Sequence, residues 1–418
     1  MVIINVIRPK GGTVHLGFRS GGRKGRMAAV LSLSLGVVLT GSACSGGVGG
    51  DSSGDSIKVG AIFALSGVYG AVGSEMLDGV RFAVDEANAA GGIGGRKVDL
   101  DVKDYRSDPS LLTGLANELL QDGAVAVVGP ETSTSAVVLD PTMASAKVPI
   151  ITAAGLVPKG EYSFSVQPLS GYFDLAAEYA KSRGAKALCD LGVSGASFES
   201  LQKVLEPAAA KAGLPMGTRI PFDAAATSLT PQMTQLKSDG CTAIFAGGTG
   251  PSVLVVARAM VDLGMTDTIL MTQPTNATSA TINQLGQAAP FTNFGLPKVM
   301  VADLISADDP AMAAIKPFAA SWKRAGKPAL TTNNAMGYSS VQIVDQAIEK
   351  GGPTSDAIYS YLKSGKDFQT PMMTYNFGSS RNGTLPDRGD GWFSFARWNP
   401  ATKAFELTFD PAKAPAGR

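Results

Sequence analysis

Three adjacent hydroxyl side chains have the composition and the position of an anion-binding site. Thr132, Ser133 and Thr134 follow a predicted strand at 124–128 and open a predicted helix at 133–146. The first amides of a helix lack partners within it, and the helix dipole makes this end positive. These hydroxyls and amides therefore predict that the helix start holds a carboxylate. The alternative is a plain N-cap, in which the same hydroxyls serve only the helix.

The composition excludes most catalytic chemistry. Of the 418 residues one is a histidine, His15, and it precedes the predicted processing site. A mature chain without histidine has no Ser-His-Asp or Cys-His catalysis and no histidine-ligated zinc. No predicted strand leads into a G-x-S-x-G elbow, and no G-x-x-x-x-G-K-S/T phosphate loop occurs in the sequence. An enzyme that uses carboxylates alone is the remaining alternative. We expect no enzyme activity, no catalytic residue, no metal site and no cofactor.

The N-terminus has the pattern of a bacterial export signal. A cationic patch, an apolar run, small residues and a cysteine follow in order: Arg23, Lys24 and Arg26, then 27–39, then Gly41-Ser42-Ala43 and Cys44. The apolar run is too short to span a membrane, so we predict a signal peptide at 1–43. The small residues before Cys44 resemble a lipobox, which predicts a lipid on Cys44 and a flexible tether at 44–56. Secretion after cleavage behind Ala43 is the alternative.

The charge balance argues against a nucleic-acid partner. Six of the 36 basic residues lie within 1–43, and all 35 acidic residues follow that segment. The mature chain is therefore slightly acidic and has no charge-based means of binding nucleic acid or an anionic membrane surface. Its length exceeds what one ordinary core holds, which predicts two domains.

Strands and helices alternate along the folded part of the chain. Predicted strands lie at 57–63, 97–102, 124–128, 148–152, 187–191, 218–222, 242–246, 268–271 and 299–303. Most segments between them carry apolar residues at helical spacing. Such alternation predicts an α/β fold of two doubly wound parallel-sheet lobes. The pattern changes at 391–398 and 404–409, which predict a β-hairpin.

Two cysteines, Cys189 and Cys241, remain in the mature chain. In a doubly wound lobe they belong to neighbouring strands, and an exported protein folds under oxidising conditions. A disulfide is therefore one interpretation. Because bridges across adjacent strands are uncommon, we favour the other interpretation, two buried thiols.

Three motifs between residues 57 and 109 carry a family resemblance. They are S-G-x-x-x-x-x-G at 66–73, a glycine-rich helix and turn at 79–97, and D-x-x-x-D-P at 104–109. In this order and spacing they resemble the branched-chain amino-acid-binding proteins, which are type I periplasmic binding proteins. The resemblance covers 57–409.

The resemblance implies that the two lobes are joined by a three-strand hinge and enclose a ligand cleft. The chain would cross between lobes near 167–168, 300–301 and 387–391. The implied N-terminal lobe is 57–167 with 301–388, and the implied C-terminal lobe is 168–300 with 389–409.

The resemblance also implies ligand contacts. The matching positions are Tyr69, Val72, Thr132, Ser133, Ala154, Gly155, Leu156, Ser197, Phe198, Thr249 and Gln273. Ser133 would hold the carboxylate of an amino acid, and the carbonyl of Ala154 would receive its ammonium. Leu156 stands where the family has threonine, and its side chain cannot form a hydrogen bond, so either the ligand lacks the matching polar group or the loop compensates. Ser197 stands where the family has an aromatic residue, for which Phe198 is a substitute.

The acid that pairs with the ligand ammonium in this family is missing. It belongs near Gln273, and the segment 271–276 contains no acidic residue. A buried ammonium without a partner is costly, so an amino-acid ligand requires an acid from elsewhere. Glu131 and Asp303 are the two substitutes, and for each the alternative is a solvated surface position. A short amide, an aromatic acid or another metabolite would need no such acid.

The function implied by the resemblance is solute capture for an ABC importer. The ligand would be a small polar metabolite, a branched-chain amino acid or a related compound, and the partner would be an ABC permease in the membrane. The protein would be a monomer that contacts the membrane through its lipid anchor. A ligand sensor of the same fold is the second interpretation.

Overall fold

The structure is a computed structural model that describes residues 56–153, 160–167, 172–223, 225–248, 252–378, 380, 383 and 390–411. The side chains of 196, 197 and 390 are not part of this description. The predictions that fall outside it concern the signal peptide, most of the tether, Cys44, Ala154, Gly155, Leu156, Thr249 and the side chain of Ser197.

A first parallel sheet is built from the N-terminal part of the chain. Its strands are β1 (Ile57–Phe63), β2 (Val98–Asp104), β3 (Ala126–Val128), β4 (Ile150–Thr152) and β5 (Ser163–Ser165), in the order β2-β1-β3-β4-β5. Helices α1 (Gly70–Ala89), α2 (Leu112–Gln121) and α3 (Ser133–Ala146) connect the first four strands. Because every pairing is parallel, the carboxyl ends of all these strands meet at one edge of the sheet.

A second sheet continues the alternation. In chain order its elements are α4 (Tyr172–Ser182), β6 (Leu188–Val193), α5 (Ala196–Lys211), β7 (Met216–Phe222), α6 (Thr230–Ser238), β8 (Ala243–Ala246), α7 (Ser252–Asp262), β9 (Ile269–Thr272), α8 (Ser279–Gln284) and β10 (Thr292–Pro297). The predicted hairpin, β13 (Phe393–Asn399) with β14 (Ala404–Phe409), adds to this sheet through antiparallel pairing of β13 with β10. The resulting order is β14-β13-β10-β9-β8-β6-β7. Two doubly wound sheets, as the sequence predicts, therefore make up the fold.

The segment between β10 and β13 returns to the first sheet. It contains α9 (Met312–Arg324), α10 (Thr332–Gly351), α11 (Ser355–Lys363) and a small hairpin of β11 (Asp367–Gln369) and β12 (Thr374–Asn376). Helix α10 packs along α1. At their closest approach a Cβ on Gly79 would lie 2.0 Å from the carbonyl oxygen of Asn334, and a Cβ on Gly337 would lie 2.0 Å from that of Met76. Glycine is required here because the two helix backbones touch.

The predicted strand at 299–303 is wrong. The chain forms a 3₁₀ segment, Lys298–Leu304, immediately after β10, a strand that the sequence analysis did not predict. Lys298 is 3% exposed and forms an ion pair with Asp309 at 2.5 Å. A short apolar run fits a strand or a buried turn equally well, and this ion pair holds the chain in the turn.

The preference for two thiols is also wrong. Cys189 of β6 and Cys241, just before β8, form a disulfide with a Cα–Cα distance of 6.1 Å. Strands β6 and β8 are neighbours, with Cys189 opposite Ile244. Cys241 precedes the first paired residue of β8. The disulfide therefore joins β6 to the segment just before β8, and it does not join two residues that lie directly opposite each other.

Candidate functional site

A buried carboxylate lies where the strands of the first sheet end. Glu131 follows β3 by three residues and is 5% exposed. The backbone N–H of Ala64, directly after β1, donates to its Oε2 at 3.3 Å. The hydroxyl of Tyr105, directly after β2, donates to its Oε1. Glu131 thus connects the carboxyl ends of three strands.

The hydrogen bonds continue from this carboxylate to the start of α3. Ser135 donates from Oγ to the Tyr105 hydroxyl at 3.2 Å, and Thr132 donates from Oγ1 to Ser135 Oγ at 2.8 Å. The backbone N–H of Ser135 donates back to Thr132 Oγ1 at 3.2 Å, which makes Thr132 the N-cap of α3. Ser133 is the first residue of this helix. The predicted carboxylate site is therefore on a helix start that is fixed by a buried polar network.

Burial shifts the ionisation of this network. It raises the pKa of Glu131 to about 7, and the nearby charge of Asp104 acts in the same direction, against the hydrogen bonds from Tyr105 and Ala64. None of the groups found to shift this pKa among the described residues is cationic. Burial and the charge of Glu131 also raise the pKa of Tyr105 and of Tyr69. Within the described part of the chain, the site therefore contains a buried acid with hydrogen-bond donors and no cation that neutralises it.

The loop that carries Tyr69 is held against the same edge. The carboxylate of Asp104 accepts from the backbone N–H of Leu65 at 2.9 Å, and Ser107 Oγ accepts from the backbone N–H of Tyr69 at 3.1 Å. Ser107 and the preceding Arg106 have φ angles of 61° and 55°, a left-handed conformation that is unfavourable for residues other than glycine. Residues in such strained conformations are held in place by the structure around them, and they cluster at functional sites.

The ligand contacts predicted in the first sheet differ in how deeply they are buried. Tyr69 is half-buried against the core, Val72 is 3% exposed inside the core, and Ser133 lies at the start of α3. The packing of Val72 leaves it little surface for a ligand. Asp303 is exposed within the 3₁₀ segment Lys298–Leu304. Glu131 and not Asp303 is therefore the buried acid.

The second sheet presents a polar but acid-free strand end. Asn276 donates from Nδ2 to the carbonyl of Gly248 and to Thr272 Oγ1, both at 2.8 Å, and Thr272 donates to the carbonyl of Ala246 at 3.1 Å. Gln273 is half-buried at the start of the 3₁₀ turn Pro274–Asn276. These contacts order the segment in which the family resemblance places an acid.

Phe198 is 8% exposed at the start of α5, where its ring packs over Gly192. A Cβ on Gly192 would lie 2.7 Å from the ring. Phe198 is therefore packed as a core residue, and its ring lies near the end of β6.

Sequence reasoning missed two members of the site, Tyr105 and Ser135. Tyr105 directly follows an aspartate at a strand end, and Ser135 is the third residue of a capped helix. The third residue of a helix is a usual partner of the N-cap side chain, so the role of Ser135 could have been predicted from the sequence. Nothing in the local sequence indicates that Tyr105 turns inward.

The family is established by comparison with known proteins. A family model described as periplasmic binding protein matches residues 56–401. The chain belongs to this family, and its fold and relatives are those of solute-binding proteins and not of enzymes. None of the helices among the described residues is long and apolar enough to cross a membrane.

Several relatives that match this chain are Leu/Ile/Val-binding proteins. It is 28% identical over 366 residues to Leu/Ile/Val-binding protein BraC3 of Rhizobium johnstonii, covering 82% of this chain and 91% of that protein. Its fold matches the branched-chain amino acid transporter substrate-binding protein LivJ of Streptococcus pneumoniae, solved with isoleucine (TM-score 0.67, 22% identity, 85% and 99% coverage). It also matches an ABC transporter solute-binding protein of Rhodopseudomonas palustris solved with 4-hydroxybenzoate (TM-score 0.68, 20% identity, 87% and 100% coverage).

Proposed function

We propose that this chain is the substrate-binding lipoprotein of an ABC importer and that its ligand is a branched-chain amino acid or a related small metabolite. The observation that carries the proposal is the capped start of α3, where Thr132 and Ser133 adjoin the buried Glu131. The helix start favours a carboxylate, and the uncompensated acid favours a cation. An amino acid supplies both charges in one small molecule.

The roles follow from this arrangement. Ser133 and the first amides of α3 hold the ligand carboxylate, with Thr132 fixing the helix start. Glu131 takes the ligand ammonium, which replaces the acid missing near Gln273. The loop residues Ala154, Gly155 and Leu156 would complete the first-lobe wall, and Tyr69 would cover the ligand.

The remaining contacts and the boundaries belong to the same proposal. Phe198, with Ser197, and Thr249 would close the site from the second lobe, whose extent we propose as 168–300 with 389–409. The first lobe is proposed as 57–167 with 301–388. A lipid on Cys44 would hold the mature protein outside the cytoplasm beside its permease.

A second candidate is an aromatic or other amine-free acid, delivered to a permease or sensed. The observations that favour it are the acid-free segment at Gln273 and the replacement of a family threonine by Leu156. The relative solved with 4-hydroxybenzoate has this fold. Such a ligand would use the α3 start but leave Glu131 without a cation.

The test is ligand-induced stabilisation of the mature protein, measured as a shift of its melting temperature. The panel contains leucine, isoleucine, valine, other amino acids, short amides, urea and aromatic acids. A ligand at a hundredfold excess over its dissociation constant adds about 2.7 kcal/mol, which raises the melting temperature by several degrees. Stabilisation by leucine, isoleucine or valine supports the first candidate. A response to aromatic acids alone supports the second.

A further inference from the structure

The chain segment between β4 and β5 begins beside Glu131. Ala153 directly follows β4, is 4% exposed, and donates from its backbone N–H to the carbonyl of Pro130 at 3.1 Å. Pro130 immediately precedes Glu131. The entry of this segment is therefore tied to the strand end that carries the buried acid.

The same segment ends on helix α3. The carboxylate of Asp140 accepts from the backbone N–H of Gly160 through Oδ2 and from the hydroxyl of Ser163 through Oδ1. Asp140 lies within α3, whereas Ser163 is the first residue of β5 and is 1% exposed. One half-buried carboxylate therefore clamps the exit of the segment to α3 and to the sheet.

The clamp fits closely at Gly160. A Cβ on this residue would lie 1.7 Å from Oδ1 of Asp140, and the three atoms nearest to it all belong to this carboxylate. The φ angle of Gly160 lies outside the left-handed region. Glycine is therefore required here by the close approach of the backbone to Asp140 and not by the backbone conformation.

Contacts with α11 hold the residues that follow Gly160. Tyr359 of α11 donates from its hydroxyl to Oε1 of Glu161 at 2.8 Å, and its ring stacks on that of Tyr162 with a centroid distance of 4.3 Å. These contacts do not involve Asp140. We therefore expect loss of the clamp to release Gly160 and to leave the sheet folded.

The two anchor points lie at either end of the helix face that carries Ser133. Ser133 and Asp140 are seven residues apart in α3, which is two helical turns, and so they lie on one face of the helix. The entry anchor, Pro130, precedes the start of this helix, and the exit anchor is Asp140 itself. The segment between the anchors contains residues 154–156, which belong to the proposed ligand site.

We propose that Asp140 is a positioning residue for ligand binding: by holding Gly160 on α3, it fixes the position from which residues 154–156 reach the ligand. Asp140 itself does not touch the ligand. Its effect on affinity is preorganisation, because a segment that is already ordered loses less entropy on binding. The inference rests on the proposed function and on the role that the family resemblance implies for the carbonyl of Ala154, which is to accept from the ligand ammonium.

Two substitutions release the clamp from opposite sides. Asp140→Ala removes both acceptor oxygens. Gly160→Ala places a Cβ against the carboxylate and displaces it. Because the atoms nearest to this Cβ are those of Asp140, the double variant should behave like Asp140→Ala alone.

Two further variants serve as controls. Asp140→Asn keeps an acceptor oxygen for the N–H of Gly160 and offers a donor N–H to Ser163 Oγ, so it should behave like the unsubstituted protein. Asp85→Ala removes an exposed carboxylate from α1 and controls for the change of charge. Circular dichroism confirms that each variant is folded.

The first readout needs no ligand. It is the hydrogen-exchange rate of the backbone amide at position 160 in the mature protein, with the amides of β4 as the internal reference. We expect this rate to rise at least about tenfold in Asp140→Ala and in Gly160→Ala, relative to the reference amides. Both controls should leave the rate unchanged.

The second readout compares leucine with 4-methylpentanoate, which has the carboxylate and side chain of leucine but no ammonium. Both dissociation constants are measured calorimetrically. We expect leucine binding to weaken about fivefold to twentyfold in Asp140→Ala and Gly160→Ala, and 4-methylpentanoate binding to change by less than about twofold. A general loss of structure would weaken both ligands alike, so the ratio of the two constants separates positioning from misfolding.

An unchanged exchange rate at position 160 in Asp140→Ala would overturn the clamp. Faster exchange with unchanged leucine affinity, or with equal weakening of both ligands, would overturn the positioning role. Failure of the proposed function is visible in the unsubstituted protein alone, as an absence of leucine binding, and it would remove the role of Asp140 in binding as well. Failure of the inference is visible only in the variants, since the unsubstituted protein would then still bind leucine.

Discussion

The hydroxyl of Tyr105 donates a hydrogen bond to the carboxylate of Glu131, and both groups are buried at the carboxyl ends of strands in one sheet. Burial favours the neutral acid, whereas the bonds from Tyr105 and Ala64 favour the carboxylate. The balance leaves the pKa of Glu131 at about 7. A buried group that titrates near neutrality couples ligand binding to pH, in a direction set by the charge of the ligand.

The first prediction is the direction of this coupling. If Glu131 takes the ligand ammonium, binding lowers its pKa and releases a proton. Leucine binding should therefore tighten as the pH rises from about 5.5 to about 8 and level off above the ligand-free pKa. Calorimetric titrations in two buffers with different ionisation enthalpies measure the released proton directly. Proton uptake on binding would show that Glu131 becomes neutral beside the ligand.

The second prediction concerns stability without ligand. The pKa of Glu131 is about 7 in the folded chain and about 4.3 in an unfolded chain, so the folded state binds more protons between these values. Stability from this group is present at low pH and is lost as the pH rises through 7. Glu131→Gln, which is neutral throughout, should have a higher free energy of unfolding than the unsubstituted protein at about pH 8, by up to about 4 kcal/mol. The difference should vanish near about pH 4.5.

Urea unfolding at about pH 5 and at about pH 8 measures this difference. Glu199→Gln on α5 is the matched control, because that carboxylate is exposed. A Glu131→Gln effect of equal size at both pH values would mean that Glu131 is ionised throughout this range.

The third prediction concerns the disulfide. The bridge between Cys189 and Cys241 encloses a loop with a sequence separation of 52 residues. By the chain-entropy relation, its removal should cost about 4 kcal/mol of unfolding free energy. The double variant Cys189→Ala with Cys241→Ala should melt earlier, and a reducing agent should lower the melting temperature of the unsubstituted protein but not that of the variant. Equal melting temperatures with and without reductant in the unsubstituted protein would argue that no bridge forms.

The fourth prediction concerns the contact of α1 with α10. Gly79→Ala forces a Cβ to within 2.0 Å of the carbonyl of Asn334, so the helices must move apart. Overpacking of this kind costs about 1 to 3 kcal/mol. Gly114→Ala is the control, because a Cβ there meets nothing within 4 Å and alanine is the better helix former. In thermal unfolding, Gly79→Ala should lower the melting temperature and Gly114→Ala should not.

Much of the fold was predictable because it depends on periodicity. Parallel strands that alternate with helices leave a repeating signal, and the hairpin at the C-terminus leaves a clear change of pattern. The 3₁₀ segment Lys298–Leu304 was not predictable, because its conformation depends on an ion pair between Lys298 and Asp309, which lies beyond the segment. The disulfide was not predictable for a related reason, since its geometry depends on where Cys241 stands relative to the first paired residue of β8.

The candidate site was predictable only where it is local. The helix start at Thr132 and Ser133 follows from residues adjacent in sequence. The inward turn of Tyr105 toward Glu131 depends on residues far apart along the chain, which no local pattern encodes. The sequence leaves Glu131 and Asp303 as equal candidates for the acid, and the structure separates them by burial.

The most direct test of the central claim compares leucine with 4-methylpentanoate, which has the same carboxylate and side chain but no amino group. Both are titrated calorimetrically into the mature protein at about pH 8, where Glu131 is ionised. We predict one-to-one binding of leucine and at least about hundredfold weaker binding of 4-methylpentanoate, because the latter leaves a buried carboxylate uncompensated beside its own charge. Equal or tighter binding of 4-methylpentanoate would contradict the assignment of Glu131 as the partner of a ligand ammonium.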